Sequence, residues 1–232
     1  MRRILPAGLA QGYGALSVLR NAALALFVLS RSVFADPVTI VALGDSLTAG
    51  YGLADQADGL VPQLESWLKA RGADVVVQNA GVSGDTTAGG LSRLDWALGP
   101  EADALIVTLG GNDLLRGIDP AASRASLDGI LQGAKARGLP VLLVAMRAPG
   151  NYGPQYKADF DAMYPELAAE YGALLLEDFF AGLRASGADM SDPTALAAYV
   201  QADGIHPSPE GVKLIVEGLG PKVEELLMRV GG

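Results

Sequence analysis

Apolar residues along this chain fall in short unbroken blocks. Five of them, at 38–43, 74–78, 104–109, 141–145 and 173–176, are nearly continuous in β-branched residues, leucine and alanine. Strands of a parallel sheet covered on both faces carry this pattern, whereas a half-exposed strand alternates. Between and after the blocks, helical spacing predicts helices near 58–70, 87–98, 121–137, 155–171 and 208–229. Gly72, Gly138 and Gly172 closely follow three of these stretches, where a C-terminal glycine cap belongs. The alternation predicts a three-layer α/β/α sandwich around a five-stranded, mainly parallel sheet. Its crossovers are right-handed, and a ligand is expected beyond the carboxyl ends of the strands.

That last rule works as a filter. Four segments rich in glycine and short polar residues lie after strand ends or in loops on that side: GDSLTAGYG at 44–52, NAGVSGDTTAGG at 79–90, GGNDLLRG at 110–117 and DGIHPSPEG at 203–211. Three of them follow strands directly. Ser46 sits on the first, but not in a Gly-x-Ser-x-Gly elbow, because Thr48 stands where the second glycine would be.

Composition narrows what Ser46 can do. The 232 residues include no cysteine and a single histidine, His206, so disulfides, thiol nucleophiles and zinc–thiolate sites are excluded. Any imidazole base must be His206. Asp203 precedes it by three residues, a spacing at which a turn lets the carboxylate reach Nδ1 while Nε2 faces the serine. Pro207 and Pro209 stiffen the entry to the last helix. The Ser46 N–H, the Gly84 N–H and the Asn112 side-chain amide are candidate donors to an oxyanion. Asp45, Asp85 and Asp113 are assigned to satisfying loop N–H groups. With one histidine as base, activity is expected to fall on acidification through a single limb.

The first 35 residues hold four arginines, no acidic residue and the apolar run 22–29, which is too short to span a bilayer. Val33-Phe34-Ala35 offers small residues at a cleavage site, so residues 1–35 are expected to form a signal peptide ahead of one domain at 36–232, with a periplasmic or secreted product. An uncleaved anchor is the alternative. Removing them leaves 13 basic against 26 acidic residues, a net charge of −13 that disfavours a nucleic-acid partner.

The four segments, in this order and spacing, resemble the blocks of the SGNH (GDSL) hydrolases, within them the thioesterase I, lysophospholipase L1 and arylesterase branch. APGNYGPQY at 148–156 and MYPELA at 163–168 are similar to that branch too, and the resemblance covers 38–229. It implies a flavodoxin-like fold, Ser46, Asp203 and His206 as catalytic triad, and Ser46, Gly84 and Asn112 as oxyanion hole. It also implies activity on aryl esters, short to medium acyl esters, acyl thioesters and lysophospholipids. No metal or organic cofactor and no obligate protein partner is expected, only a small-molecule ester or lipid substrate. Leu114, Leu115, Ile118 and the segment 146–156, including Tyr152, are expected to flank the site as acyl- or aryl-binding residues. A carbohydrate O-acetylesterase, or a non-catalytic lipid- or glycan-binding module, is the alternative.

Overall fold

The computed structural model describes residues 36–187 and 192–231. The N-terminal signal-peptide expectation therefore lies outside the described residues. Five strands, β1 (Val38–Gly44), β2 (Val75–Gly81), β3 (Ala104–Thr108), β4 (Val141–Val144) and β5 (Leu174–Leu176), form one sheet in the order 2-1-3-4-5. Every neighbouring pair is parallel. Ten helices are described: α1 (Ser46–Ala49), α2 (Leu60–Lys69), α3 (Thr87–Ser92), α4 (Leu94–Ala97), α5 (Gly111–Arg116), α6 (Pro120–Ala136), α7 (Pro154–Tyr171), α8 (Ala181–Ala185), α9 (Pro193–Leu196) and α10 (Pro209–Leu227). Helices α2 and α10 pack together on one face of the sheet, and α3, α6 and α7 on the other, giving the expected three layers.

The central strands β3 and β4 are buried throughout, as their unbroken apolar blocks require. The edge strand β2 departs from that expectation. Val75 and Val77 are buried beneath α2, but Val76, which points to the opposite face of this edge strand, is exposed. Its outer edge is blunted by Glu65 of α2, whose Oε2 accepts the Val77 N–H at 2.8 Å. β2 also runs on to Gly81, since residues 78–81 keep register with β1 as far as Gly44. The single helix expected at 87–98 is broken into α3 and α4 at Arg93. Its guanidinium turns back to the Asp85 carboxylate, at 2.5 Å, and to the Gly44 carbonyl, at 2.9 Å.

Strand order reverses at β1 and β3: the connection from β1 leads outward to β2, and that from β3 leads to β4 on the other side. Loops leaving the carboxyl ends of β1 and β3 therefore diverge and open a crevice. The turn out of β1 is close-packed. A Cβ on Gly44 would collide with the hydroxyls of Thr48 and Thr108, which are hydrogen-bonded to each other in the core. Thr48 is completely buried. It ties α1 to the end of β3, which explains a threonine where a nucleophile elbow has glycine.

Candidate active site

Ser46 is the first residue of α1, so its N–H lies in the first turn, where no intrahelical carbonyl is available. Asp45 caps the helix, its Oδ1 accepting the Leu47 N–H at 3.0 Å. Across the crevice, the segment before α10 carries His206. That segment is pinned by a bridge between Val200 and Pro207 and by the Gln201 N–H donating to the His206 carbonyl at 2.7 Å. The Gln201 side chain also donates to the carbonyls of Tyr51 and Pro207, at 2.8 and 2.9 Å. The Tyr51 ring then lies 4.7 Å from the imidazole, centroid to centroid.

These elements bring Ser46, His206 and Asp203 into line. His206 Nε2 is 2.8 Å from Ser46 Oγ, and Nδ1 is 2.7 Å from Asp203 Oδ2. The other Asp203 oxygen accepts the N–H groups of Ile205 and His206 at 2.9 and 3.0 Å. The imidazole hydrogen bond, aided by these two, pushes the Asp203 pKa down to about 2. Asp203 is therefore an ionised acceptor at neutral pH, so Nδ1 carries the proton and the Nε2 lone pair faces Ser46. The arrangement can take a proton from the serine hydroxyl and hold the resulting imidazolium against a carboxylate.

Gly84 reaches the same cleft from the loop after β2, and Asn112 from the start of α5. Gly84 is the third residue of a turn closed by the Asp85 N–H on the Val82 carbonyl at 3.1 Å. Its φ of +86° and the negative φ of Ser83 make this a type II turn, which needs glycine there. Asn112 lies in the first turn of α5 and donates one amide hydrogen to Asp45 Oδ2 at 3.2 Å, leaving its second for a ligand.

Asp113 and Asp85 hold loops. Asp113 is buried and accepts from the Thr87 N–H and hydroxyl at 2.9 and 2.6 Å and from the Ser123 hydroxyl at 2.7 Å, joining α3, α5 and α6. Asp85 pairs with Arg93 rather than with a backbone donor. Asp45 does more than cap a helix. Burial pushes its pKa up to about 6, against the Leu47 and Asn112 hydrogen bonds and the pull of His206, with Asp113 adding to the rise. A second group therefore titrates in the range where the sequence predicts only the histidine.

The cleft measures about 770 Å³, well within the range of pockets that hold small organic ligands. Leu114, Leu115 and Tyr152 line it, Leu114 packing against the core as well. Ile118 does not line it; instead its carbonyl accepts the Tyr156 hydroxyl at 2.9 Å. Four exposed apolar or aromatic side chains, Tyr51, Leu115, Tyr152 and Ile205, stand around the opening. Tyr51 and Ile205 were not singled out by the sequence, although both lie within the motif segments. One wall holds Arg147 and Arg184 beside the buried Asp178, with which Arg184 forms a close ion pair. Among the described residues, no group of three or more His, Asp or Glu side chains is placed to hold a metal ion.

Comparison with known proteins identifies relatives of the chain. The chain is similar to the esterase TesA of Pseudomonas aeruginosa, at 38% identity over 212 residues, covering 91% of this chain and 99% of that protein. It is similar to the thioesterase 1/protease 1/lysophospholipase L1 of Escherichia coli K12, at 35% identity over 198 residues, covering 85% and 88%. Among solved structures, the psychrotrophic esterase EstA from Pseudoalteromonas sp., inhibited by monoethylphosphonate, superposes with a TM-score of 0.71 at 31% identity, covering 82% of this chain and 98% of that one. The model of the GDSL-like lipase/acylhydrolase family matches residues 42–214, three quarters of the sequence, and the chain belongs to that family.

Proposed function

We propose that this protein is a secreted serine esterase that hydrolyses carboxylic esters through an acyl-enzyme on Ser46. The observation that carries the reading is the unbroken line from Ser46 Oγ through the imidazole to Asp203, at 2.8 and 2.7 Å. Ser46 Oγ attacks the ester carbonyl as its proton passes to His206 Nε2. The tetrahedral oxyanion accepts hydrogen bonds from the Ser46 N–H, the Gly84 N–H and the Asn112 amide, charge that exists mainly in the transition state. Collapse breaks the bond to the leaving oxygen or sulfur, which takes the proton from Nε2. Water then attacks the acyl-serine with His206 again as base, releasing the acid and restoring Ser46.

The substrate side rests on the rim. Leu115, Ile205, Tyr51 and Tyr152 favour an apolar acyl or aryl group. The names of the TesA and thioesterase 1 relatives fit the same chemistry. Aryl esters, short and medium acyl esters, lysophospholipids and acyl thioesters are the proposed substrates, with no cofactor. Residues 1–35 are proposed to direct export and to be removed after Ala35. Among the described residues, no helix is long and apolar enough to cross a membrane.

The test is a chain-length series of p-nitrophenyl esters, with acetylated xylan as the competing substrate. Turnover of the aryl esters that is abolished in Ser46→Ala is the expected result. Preference for acetylated xylan would move the assignment to a carbohydrate O-acetylesterase. Undiminished turnover by Ser46→Ala would overturn the mechanism.

A further inference from the structure

Helix α5 carries Asn112 and Arg116 four residues apart, a spacing that places both on one face of a helix. Each end of that face is tied to a different part of the site. At the N-terminal end the Asn112 amide donates to Asp45 Oδ2 at 3.2 Å. At the C-terminal end Arg116 Nη2 donates to the Gly84 carbonyl at 2.7 Å. Asp45 is 1% exposed, and its other oxygen is fixed by the Leu47 N–H, so the carboxylate has little freedom to turn.

We propose that Asp45 and Arg116 are positioning residues that hold the two oxyanion donors carried outside α1, the Asn112 amide and the Gly84 N–H, at a fixed separation through α5. The proposal rests on the acyl-enzyme reading above. Neither residue touches the substrate. Asp45 sets the rotation of the amide, so that one hydrogen is spent on the carboxylate and the other faces the cleft. Arg116 keeps the Val82–Asp85 turn from drifting away from α5. Only an ionised Asp45 serves: it must accept from two donors at once, and a protonated carboxyl or an asparagine presents a donor to one of them.

Protonation of Asp45 is therefore part of the same device. The groups that face Asp45 are His206 on the segment before α10, Asp113 on α5 and the buried Tyr164 of α7. Burial keeps the Tyr164 phenol protonated, and its hydroxyl donates to the Leu109 carbonyl at 2.9 Å. Asp113 is held by three donors. Below about pH 6, Asp45 takes up a proton and releases one of its two donors.

The experiment compares wild type, Asp45→Asn, Arg116→Ala, Arg116→Lys and Ser46→Ala on p-nitrophenyl butyrate, with an alkyl trifluoromethyl ketone as a reversible oxyanion-forming inhibitor. Misplacing a donor by about 1 Å costs on the order of 10²-fold in rate. Asp45→Asn and Arg116→Ala should each lose about that in kcat, with KM changed less than threefold. The ketone should weaken in step with kcat/KM, and Arg116→Lys should recover part of the loss. The acidic limb should carry a contribution from Asp45 near pH 6 in wild type, and that contribution should be absent, with a changed slope, in Asp45→Asn. A merely structural role would not link kcat to ketone affinity or change the slope of the limb. Full kcat in Asp45→Asn and Arg116→Ala overturns the proposal, as does a loss confined to KM. If Asp45→Asn does not fold, the Arg116 pair decides alone. Wild-type protein inactive on every ester, or as active as Ser46→Ala, overturns the esterase reading and this one with it. Active wild type with unaffected variants overturns this one only.

Discussion

Replacing Gly84 with alanine separates backbone geometry from catalysis. Gly84 holds φ at +86° in a type II turn closed by the 3.1 Å bond from Asp85 to Val82. A Cβ there would meet only Arg116 Nη2, at an ordinary 3.6 Å, so sterics against neighbours do not forbid the change. The cost is the left-handed backbone itself, roughly 1–2 kcal/mol for a non-glycine residue. The turn has a cheap escape. Flipping the Ser83–Gly84 peptide converts type II to type I, which alanine tolerates and which keeps the Asp85–Val82 bond. That peptide carries the Gly84 N–H. After the flip the Ser83 carbonyl points where the donor had been, so a developing oxyanion meets an acceptor. Loss of one donor typically costs 10²–10³ in kcat. Stability should fall by no more than the strain, a Tm shift of about 2–8 °C for a chain of this size. Gly138→Ala is the control. It also has positive φ, +69°, with no neighbour within 4 Å of an added Cβ, and it lies at the end of α6 away from the cleft. Thermal unfolding and steady-state hydrolysis of p-nitrophenyl butyrate give both readouts. Gly84→Ala should lose kcat at least a hundredfold while Gly138→Ala keeps it, at similar cost in Tm. Equal activity in the two variants would refute the reasoning.

Asp203→Asn should cut kcat by about 10²–10⁴, because the imidazole loses the partner that fixes its tautomer; stopped-flow hydrolysis at pH 8 checks this, and a loss below tenfold would remove Asp203 from the proton path. Because Asp203 is held near pKa 2, it stays ionised above about pH 4, and acidification above that should not act through Asp203. The single histidine makes this checkable by following one imidazole resonance alongside kcat/KM, and an Asp203 titration above pH 5 would contradict it. Gly218→Ala should destabilise without touching the site. The added Cβ would lie 2.6 Å from the Gly182 backbone nitrogen where α10 meets α8, and overpacking of that kind costs about 1–3 kcal/mol, read as a lower urea midpoint at unchanged m-value.

The sheet was legible because burial on two faces leaves an unbroken apolar block, and β3 and β4 match their blocks closely. β2 was less so, because an edge strand needs only one apolar face and valine suits either. The serine, aspartate and histidine were legible because one histidine and no cysteine leave few ways to activate a hydroxyl. The glycines and polar residues of GGNDLLRG mask the six helical residues of α5, and with them the alignment of Asn112 and Arg116. Asp45 looked like a capping residue, and it is one; its second partner, Asn112, lies 67 residues away, and no local pattern reports that contact. The break at Arg93 has in part the same origin, since one acceptor of its guanidinium, the Gly44 carbonyl, lies 49 residues upstream at the end of β1. Ile118 is absent from the cleft lining, and its carbonyl holds the Tyr156 hydroxyl instead, a contact across 38 residues that no local pattern reports.

The central claim is that Ser46 is the nucleophile, and covalent trapping tests it most directly. Wild-type protein and Ser46→Ala are treated with a p-nitrophenyl alkylphosphonate and followed by intact mass and peptide mapping. The account predicts one adduct per wild-type chain, located on the peptide that holds Ser46, appearing in step with loss of esterase activity and absent from Ser46→Ala. An adduct on any other serine, or inactivation that proceeds in the Ser46→Ala chain, would contradict it.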